Sequence, residues 1–175
     1  MNDNYEMNDI DRILRVDHAG EYGAIHIYQA QLWVARWLYH DIVDTLDDML
    51  SHEKNHYQRF DDLLQRRRIR HCYAIHLWAL GGWLLGLVTA ALGRNAIFVC
   101  TYSIESTVLQ HLDHQLQYLQ QHDSEAYAAV LSIKADEEAH QALGQRFGSS
   151  SILYKPLFYI VNQATTFAIW LSTKL

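Results

Sequence analysis

Proline occurs once in the 175 residues and glycine eight times, too few chain breaks for the many turns of a sheet protein. An all-α chain is expected, and its length suits a single well-cored domain, residues 1–175, better than two. Cysteine is scarce as well. Cys72 and Cys100 form neither a CxxC pair nor a disulfide framework, which argues against a secreted disulfide scaffold and leaves two core thiols in a reducing compartment. With 14 Lys and Arg against 20 Asp and Glu, the net charge of −6 argues against a nucleic-acid partner, because phosphate binding needs a broad basic surface. The polar, acidic opening, Met1 to Glu6, matches neither a secretory signal nor an Arg-rich transit peptide, so residence inside the cell is expected. One run departs from the shortage of cations. Arg66, Arg67, Arg68 and Arg70 stand beside a long apolar stretch, either as a solvated helix end or as a contact for anionic lipid headgroups.

Formal charge is missing altogether from residues 71–93, which include Leu77, Trp78, Leu80, Trp83, Leu84 and Val88. By length this stretch reaches the size of a membrane span. Gly81, Gly82 and Gly86 weaken a plain spanning helix, however, and a bundle with parallel second and third helices needs a long return connection. An interfacial or substrate-facing crossover helix, simple core packing and a true span all stay open. Residues 148–151 read as a linker, after which Pro156 opens a last apolar helix, about 156–175, through Phe158, Ile160, Phe167, Trp170 and Leu171. This segment and the crossover either share one exposed hydrophobic surface or bury each other.

What the chain does contain is a repeat of ligand-type residues. Glu21 precedes Glu53 by 32 residues, and Glu105 precedes Glu137 by the same interval; His56 and His140 follow Glu53 and Glu137 at i+3. The two sets are offset by 84. Apolar residues at helical spacing accompany each acid: Leu14, Ile25, Tyr28, Leu32 and Ala35 with Glu21; Leu46, Met49, Leu50, Phe60 and Leu64 with Glu53; Phe98, Leu109, Leu112 and Leu116 with Glu105; Tyr127, Val130 and Ile133 with Glu137. The spacing predicts two helical hairpins, about residues 9–66 and 96–146, turning near His40 and His122. Partners equidistant from a turn stand at one height, here about 24 Å along the helices for 16 residues at roughly 1.5 Å each.

Four carboxylates on apolar helix faces are costly unless positive charge meets them. Few cations lie on those stripes, so two divalent metals are the economical partners. One Glu from each of two helices and a Glu-x-x-His from each of the other two is the ligand set of di-iron and di-manganese four-helix bundles. In that reading Glu53 and Glu137 bridge, Glu21 and Glu105 are terminal or bridging, and His56 and His140 give one nitrogen per metal; iron and manganese both suit the donors. The rival is His52-Glu53-Lys54-Asn55-His56, a match to the HExxH of zinc proteases, which leaves Glu21, Glu105, Glu137 and His140 without a purpose.

Neighbouring residues carry weaker signals. Gly20 and Gly23 flank Glu21 within a helix, either for close packing or for clearance beside the metals. Asp17, one turn before Glu21, is a candidate to orient a ligand imidazole, and His18 and His111 are candidate outer partners or proton carriers. Tyr22, Tyr28 and Tyr102 read as packing residues rather than radical sites.

The run from Asp11 to Ala24, DRILRVDHAGEYGA, resembles the opening signature of the demethoxyubiquinone hydroxylases of ubiquinone biosynthesis. Leu77-Trp78 with Leu92-Gly93 looks like that family's crossover, and Glu105 with His111, and Asp136-Glu137 with His140, match its later motifs. Ala30 stands where the family usually has glycine and His76 where a proline commonly precedes Leu-Trp; neither position is a ligand. The resemblance implies a ferritin-like monooxygenase with two iron ions (Fe2+/Fe3+), O2 as co-substrate and an electron donor the sequence does not specify. It implies hydroxylation of the ring of a demethoxy polyprenyl benzoquinol, the 3-demethoxyubiquinol 3-hydroxylase reaction. It also implies peripheral attachment to a membrane that holds the polyprenyl quinol, on the cytoplasmic side of the inner membrane in a bacterium, with other ubiquinone-biosynthesis proteins as possible partners. A quinol oxidase would use the same ligands, whereas ferritin-type iron storage or lipid carriage fits the long apolar segments less well.

Overall fold

A computed structural model describes residues 3–148 and 152–175, with side chains from residue 9 onward. Among the described residues there are six α-helices and no strand: α1 Asp3–Leu38, α2 Val43–Arg67, α3 Ile75–Ala91, α4 Arg94–His122, α5 Ser124–Phe147 and α6 Lys155–Ser172. Helix α1 starts earlier than the expected residue 9, as no proline or glycine precedes Gly20 to delay it. Of the expected linker, residues 149–151 lie outside the described residues. Pro156 sits in the first turn of α6, where its missing N–H leaves no bond unmade.

Sharp local devices end the helices. Asp123 closes α4 and caps α5, its Oδ1 accepting from the backbone N–H of Glu125 and Ala126 at 3.1 and 2.9 Å. Arg67 at the end of α2 reaches the same carboxylate at 2.9 Å, and Arg66 and Arg67 donate to Glu125. Two of the four cations in the basic run therefore join the end of α2 to the start of α5, and Arg68 takes the left-handed conformation (φ 57°) that stops α2.

Helices α1 and α2 pack as one hairpin and α4 and α5 as another; α3 lies on α1, and α6 lies on α4. The 84-residue offset thus extends beyond the acids: each half is a hairpin followed by an apolar helix on the outside of its first member. Buried residues fall into two large clusters. One holds Leu14, Phe60, Leu112, Leu119 and Ile133, the other Tyr28, Leu32, Leu46, Met49 and Phe98. The four acids and their histidines occupy the level between these clusters.

The close approach of α3 to α1 depends on glycine at two positions. A Cβ on Gly82 would come within 2.5 Å of the Gly23 carbonyl oxygen, and one on Gly86 would meet the Ile27 carbonyl and the Ala30 methyl. Gln31, fully buried on α1, donates to Thr89 of α3 at 3.0 Å. The outer face of α3 is left to solvent, with Leu77, Leu80, Leu84 and Val88 each more than half exposed. Tyr159, Ile160, Phe167 and Trp170 of α6 are exposed to a similar degree. No helix of the described residues is long and apolar enough to cross a membrane. The spanning alternative for residues 71–93 has no such helix behind it: the one formed there has 17 residues and carries Gly81, Gly82 and Gly86. Cys72 and Cys100 are free and buried.

Candidate metal centre

The six repeated residues meet. Glu21, Glu53, His56 and Glu137 bring ligand atoms within 4.8 Å of one another, and so do Glu53, Glu105, Glu137 and His140. Glu53 and Glu137 belong to both groups; Glu21 with His56 and Glu105 with His140 complete one each. All six are at least nine-tenths buried.

Each imidazole turns one nitrogen inward. His56 Nδ1 lies 3.0 Å from Glu137 and 3.5 Å from Glu21, and His140 Nδ1 lies 3.2 Å from Glu53 and 3.6 Å from Glu137. Yet both Nδ1 atoms and Glu53 Oε1 lack an aligned hydrogen-bond partner. They converge on shared space rather than on each other, which fits cations between them. Four carboxylates and two imidazoles are also the donor chemistry of two ions of hard to intermediate character.

The electrostatics point the same way. Burial, with Glu53 and Glu137 nearby, holds the carboxyl of Glu21 well above its usual range even though His56 favours its ionised form. Burial, Glu137 and Glu53 do the same to Glu105. Burial disfavours a charged His56, but Glu137, Glu21 and Glu53 outweigh it and push the ring to about 11. His140 moves likewise to about 9 against its own burial. Burial also opposes ionisation of Glu137, and the two imidazoles overcome it, bringing the carboxylate down to about 2. Protons thus provide the charge compensation that cations would provide.

The outward nitrogens have partners that the sequence reading did not single out. His56 Nε2 is 3.0 Å from Asp136 Oδ2, and His140 Nε2 is 3.1 Å from His52 Nδ1. An outer N–H donated to each partner leaves Nδ1 as the ligating atom. The signal was present: His52 and Asp136 each precede the Glu of a Glu-x-x-His and are themselves 84 apart. His52 belongs to neither ligand group, so the HExxH residues do not assemble as a zinc site. Tyr28, read from sequence as packing, donates to Glu105 Oε1 at 3.1 Å.

Other candidates land elsewhere. Asp17 Oδ1 accepts from Gln115 Nε2 at 2.7 Å, so Asp136 and His52 hold the imidazoles in its place. His18 is buried against Tyr57, with Nε2 3.3 Å from Asp61. His111 lines a cavity beside the acids, and burial together with His114 lowers its pKa.

That cavity, about 370 Å³, lies among α1, α3, α4 and α6. Glu21, Glu53, Glu105 and Glu137 face it, while neither ligand imidazole does. Its other walls are mainly apolar, including Ile27, Trp78, Leu85, Ile104 and Val108. Gly20 and Gly23 also line it. A Cβ at Gly20 would meet nothing within 4 Å, so clearance describes that position, whereas one at Gly23 would be in ordinary contact with Trp78 at 3.8 Å, and the Gly23 carbonyl packs under Gly82 of α3.

The chain also matches known proteins. The family described as ubiquinone biosynthesis protein COQ7 matches residues 8–172. The chain is 35% identical over 169 residues to the 3-demethoxyubiquinol 3-hydroxylase of Rhodospirillum rubrum, covering 94% of this chain and 78% of that one. It is 34% identical over 174 residues to the mitochondrial NADPH-dependent 3-demethoxyubiquinone 3-hydroxylase of Dictyostelium discoideum, covering 94% and 77%, and 32% identical over 178 residues to the protein of that name from Homo sapiens, covering 99% and 81%. A buried Glu/His cluster beside an apolar cavity, on a chain that matches almost from end to end, places this protein in the family of the ubiquinone biosynthesis protein COQ7.

Proposed function

We propose that the protein is a ferritin-like di-iron monooxygenase that uses O2 to hydroxylate the ring of a demethoxy polyprenyl benzoquinol. The observation that carries this reading is the meeting of four carboxylates and two imidazoles at the wall of an apolar cavity. Glu21, Glu53 and His56 with Glu137 would hold one iron, and Glu105, Glu53 and His140 with Glu137 the other, with Glu53 and Glu137 as the bridges. A pair of irons supplies two electrons to dioxygen at one place.

The chain's own residues do the rest. The carboxylate face meets the cavity, so ring and oxygen approach from that side, while Asp136 and His52 fix the imidazoles from behind. Tyr28 restrains Glu105. Apolar walls exclude water from the ring, and the open space at Gly20 admits a flat substrate. Exposed apolar side chains on α3 and α6 would rest on the membrane that holds the polyprenyl tail, giving a peripheral protein on the cytoplasmic side of a bacterial inner membrane. Other ubiquinone-biosynthesis proteins are the partners this placement suits. Several relatives are named NADPH-dependent, and NADPH is the first reductant to supply.

The test is turnover of a demethoxy quinol with iron-loaded protein under air and under nitrogen, with the ring product identified. A hydroxylated ring formed only under air supports the proposal. Quinone and water without ring hydroxylation would make the protein a quinol oxidase, and equal turnover under nitrogen would refute both.

A further inference from the structure

We propose that Asp17 is the residue that recognises the reduced ring, its Oδ2 accepting a hydrogen bond from a phenolic hydroxyl of the bound quinol while Gln115 holds Oδ1. The assignment rests on the reading of the cavity as the quinol's site.

Asp17 lines the cavity and is only 7% exposed. Its Oδ1 accepts from Gln115 Nε2 at 2.7 Å, and its Oδ2 is buried without a partner. A carboxylate can accept about four hydrogen bonds, so one bond leaves most of its capacity unused. No Lys or Arg lines the cavity to offset the charge. Burial lifts Asp17 to about 7 even with Gln115 favouring the ionised form, so the side chain still lacks a donor. A bound hydroxyl supplies the missing donor.

Position supports the role. Asp17 precedes Glu21 by one helical turn, about 6 Å along α1. A six-membered ring anchored through one oxygen at Asp17 therefore extends along the cavity wall toward the carboxylates. Gly20 lies between the two acids and leaves that wall flat. Above about pH 7, where Asp17 is ionised, chemistry then sets a preference: the carboxylate only accepts, so it binds a ring hydroxyl and rejects a quinone carbonyl or a methoxy oxygen. In Asp17→Asn, Gln115 Nε2 keeps the amide oxygen, and the amide N–H2 faces the position of Oδ2, so the preference reverses toward acceptors.

The experiment measures binding to the metal-loaded protein under nitrogen at about pH 8.5, where Asp17 is ionised, followed by tryptophan fluorescence, since Trp78 lines the cavity. The probes are a short-chain demethoxy benzohydroquinone, its quinone and its dimethyl ether. Wild type is expected to bind the hydroquinone on the order of tenfold or more tightly than either other compound. Asp17→Asn, checked for folding by its melting curve, should lose that ratio and favour the quinone. A hydroquinone preference that survives in folded Asp17→Asn overturns the role of Asp17 and leaves the proposed function standing. Equal wild-type affinity for hydroquinone and dimethyl ether overturns it too, without needing the variant. Should wild type bind none of the three, the cavity is not the ring's site and the proposed function falls with it.

Discussion

His56 Nε2 meets Asp136 Oδ2 at 3.0 Å, so the imidazole of one half of the chain is held by a residue of the other half. The reciprocal contact joins His140 to His52 at 3.1 Å, but there the partner is an imidazole and not an acid. Crossed in this way, the two contacts tie α2 to α5 at the level of the acids and make the two candidate metal positions chemically unequal. A carboxylate behind His56 raises its electron donation more than a neutral ring does behind His140.

Removing these outer partners should weaken metal binding without unfolding the protein, because both are partly exposed, 45% for the Asp136 side chain and 34% for His52. Asp136→Asn is expected to lower iron affinity by roughly 10- to 100-fold, and His52→Ala by less. In a double-mutant cycle, Asp136→Asn added to His56→Ala should cost almost nothing further, while added to His140→Ala it should cost its full amount. Calorimetric titration with ferrous iron under nitrogen reads both.

Sequence disclosed the candidate ligands because their chemistry and spacing both repeat: two glutamates 32 residues apart in each half, the second with a histidine at i+3, are visible without coordinates. Helix spans were legible for the same reason, as apolar stripes at 3.6-residue spacing identify the core face of a helix. Asp17 was legible as a residue near Glu21 but not as to its partner, since helical spacing along α1 says nothing about Gln115, 98 residues away. The equivalence of α3 and α6 escaped notice because apolar surface helices carry no ligands to mark their register. Gly82 and Gly86 look like helix weakeners in one dimension; only the packing of α3 on α1 reveals them as points of backbone approach.

Protons and metals should compete at the centre. Near neutral pH His56 and His140, at about 11 and about 9, are charged, and Glu21 and Glu105 are shifted toward the neutral acid. Two divalent ions must displace these protons, so loading should release between two and four per chain, measured by calorimetry in buffers of different ionisation enthalpy. Release of fewer than one would contradict the assignment.

The same shifts fix how chelator-treated protein responds to pH. A histidine with a raised folded pKa contributes stability that is complete below its unfolded value near 6.5 and is lost as pH rises through about 9 and about 11. Raised carboxyls act in the same direction, while the depressed Glu137 loses its contribution only toward pH 2, outside this range. Thermal midpoints of the stripped protein should therefore fall by several degrees from pH 6.5 to 9.5, and those of the iron-loaded protein should fall much less.

Gly20 and the pair Gly82 and Gly86 should respond oppositely to alanine. At Gly20 the added methyl meets nothing, so Gly20→Ala should stabilise by up to about 1 kcal/mol through helix propensity. Gly20→Leu should keep that stability and lose activity by projecting into the cavity. Gly82→Ala and Gly86→Ala should destabilise by about 1 to 3 kcal/mol, because α3 must move off α1. Urea unfolding of the four variants gives the comparison.

On the proposed reading, the apolar outer face of α3 serves attachment and not chemistry. Leu77, Leu80, Leu84 and Val88 recur at spacings of three and four residues on one side of the helix, while Gly82 and Gly86 face α1 on the other. A charge placed on the outer side therefore meets water in the free protein and should leave the fold intact, whereas on a membrane it must be removed from water or pushed out of the interface. Leu80→Glu with Leu84→Glu is expected to reduce sedimentation with anionic lipid vesicles by tenfold or more. Iron content and turnover of a short-chain quinol that needs no bilayer should stay within about twofold of wild type. Loss of vesicle binding accompanied by loss of iron would instead mean that this face supports the bundle from within.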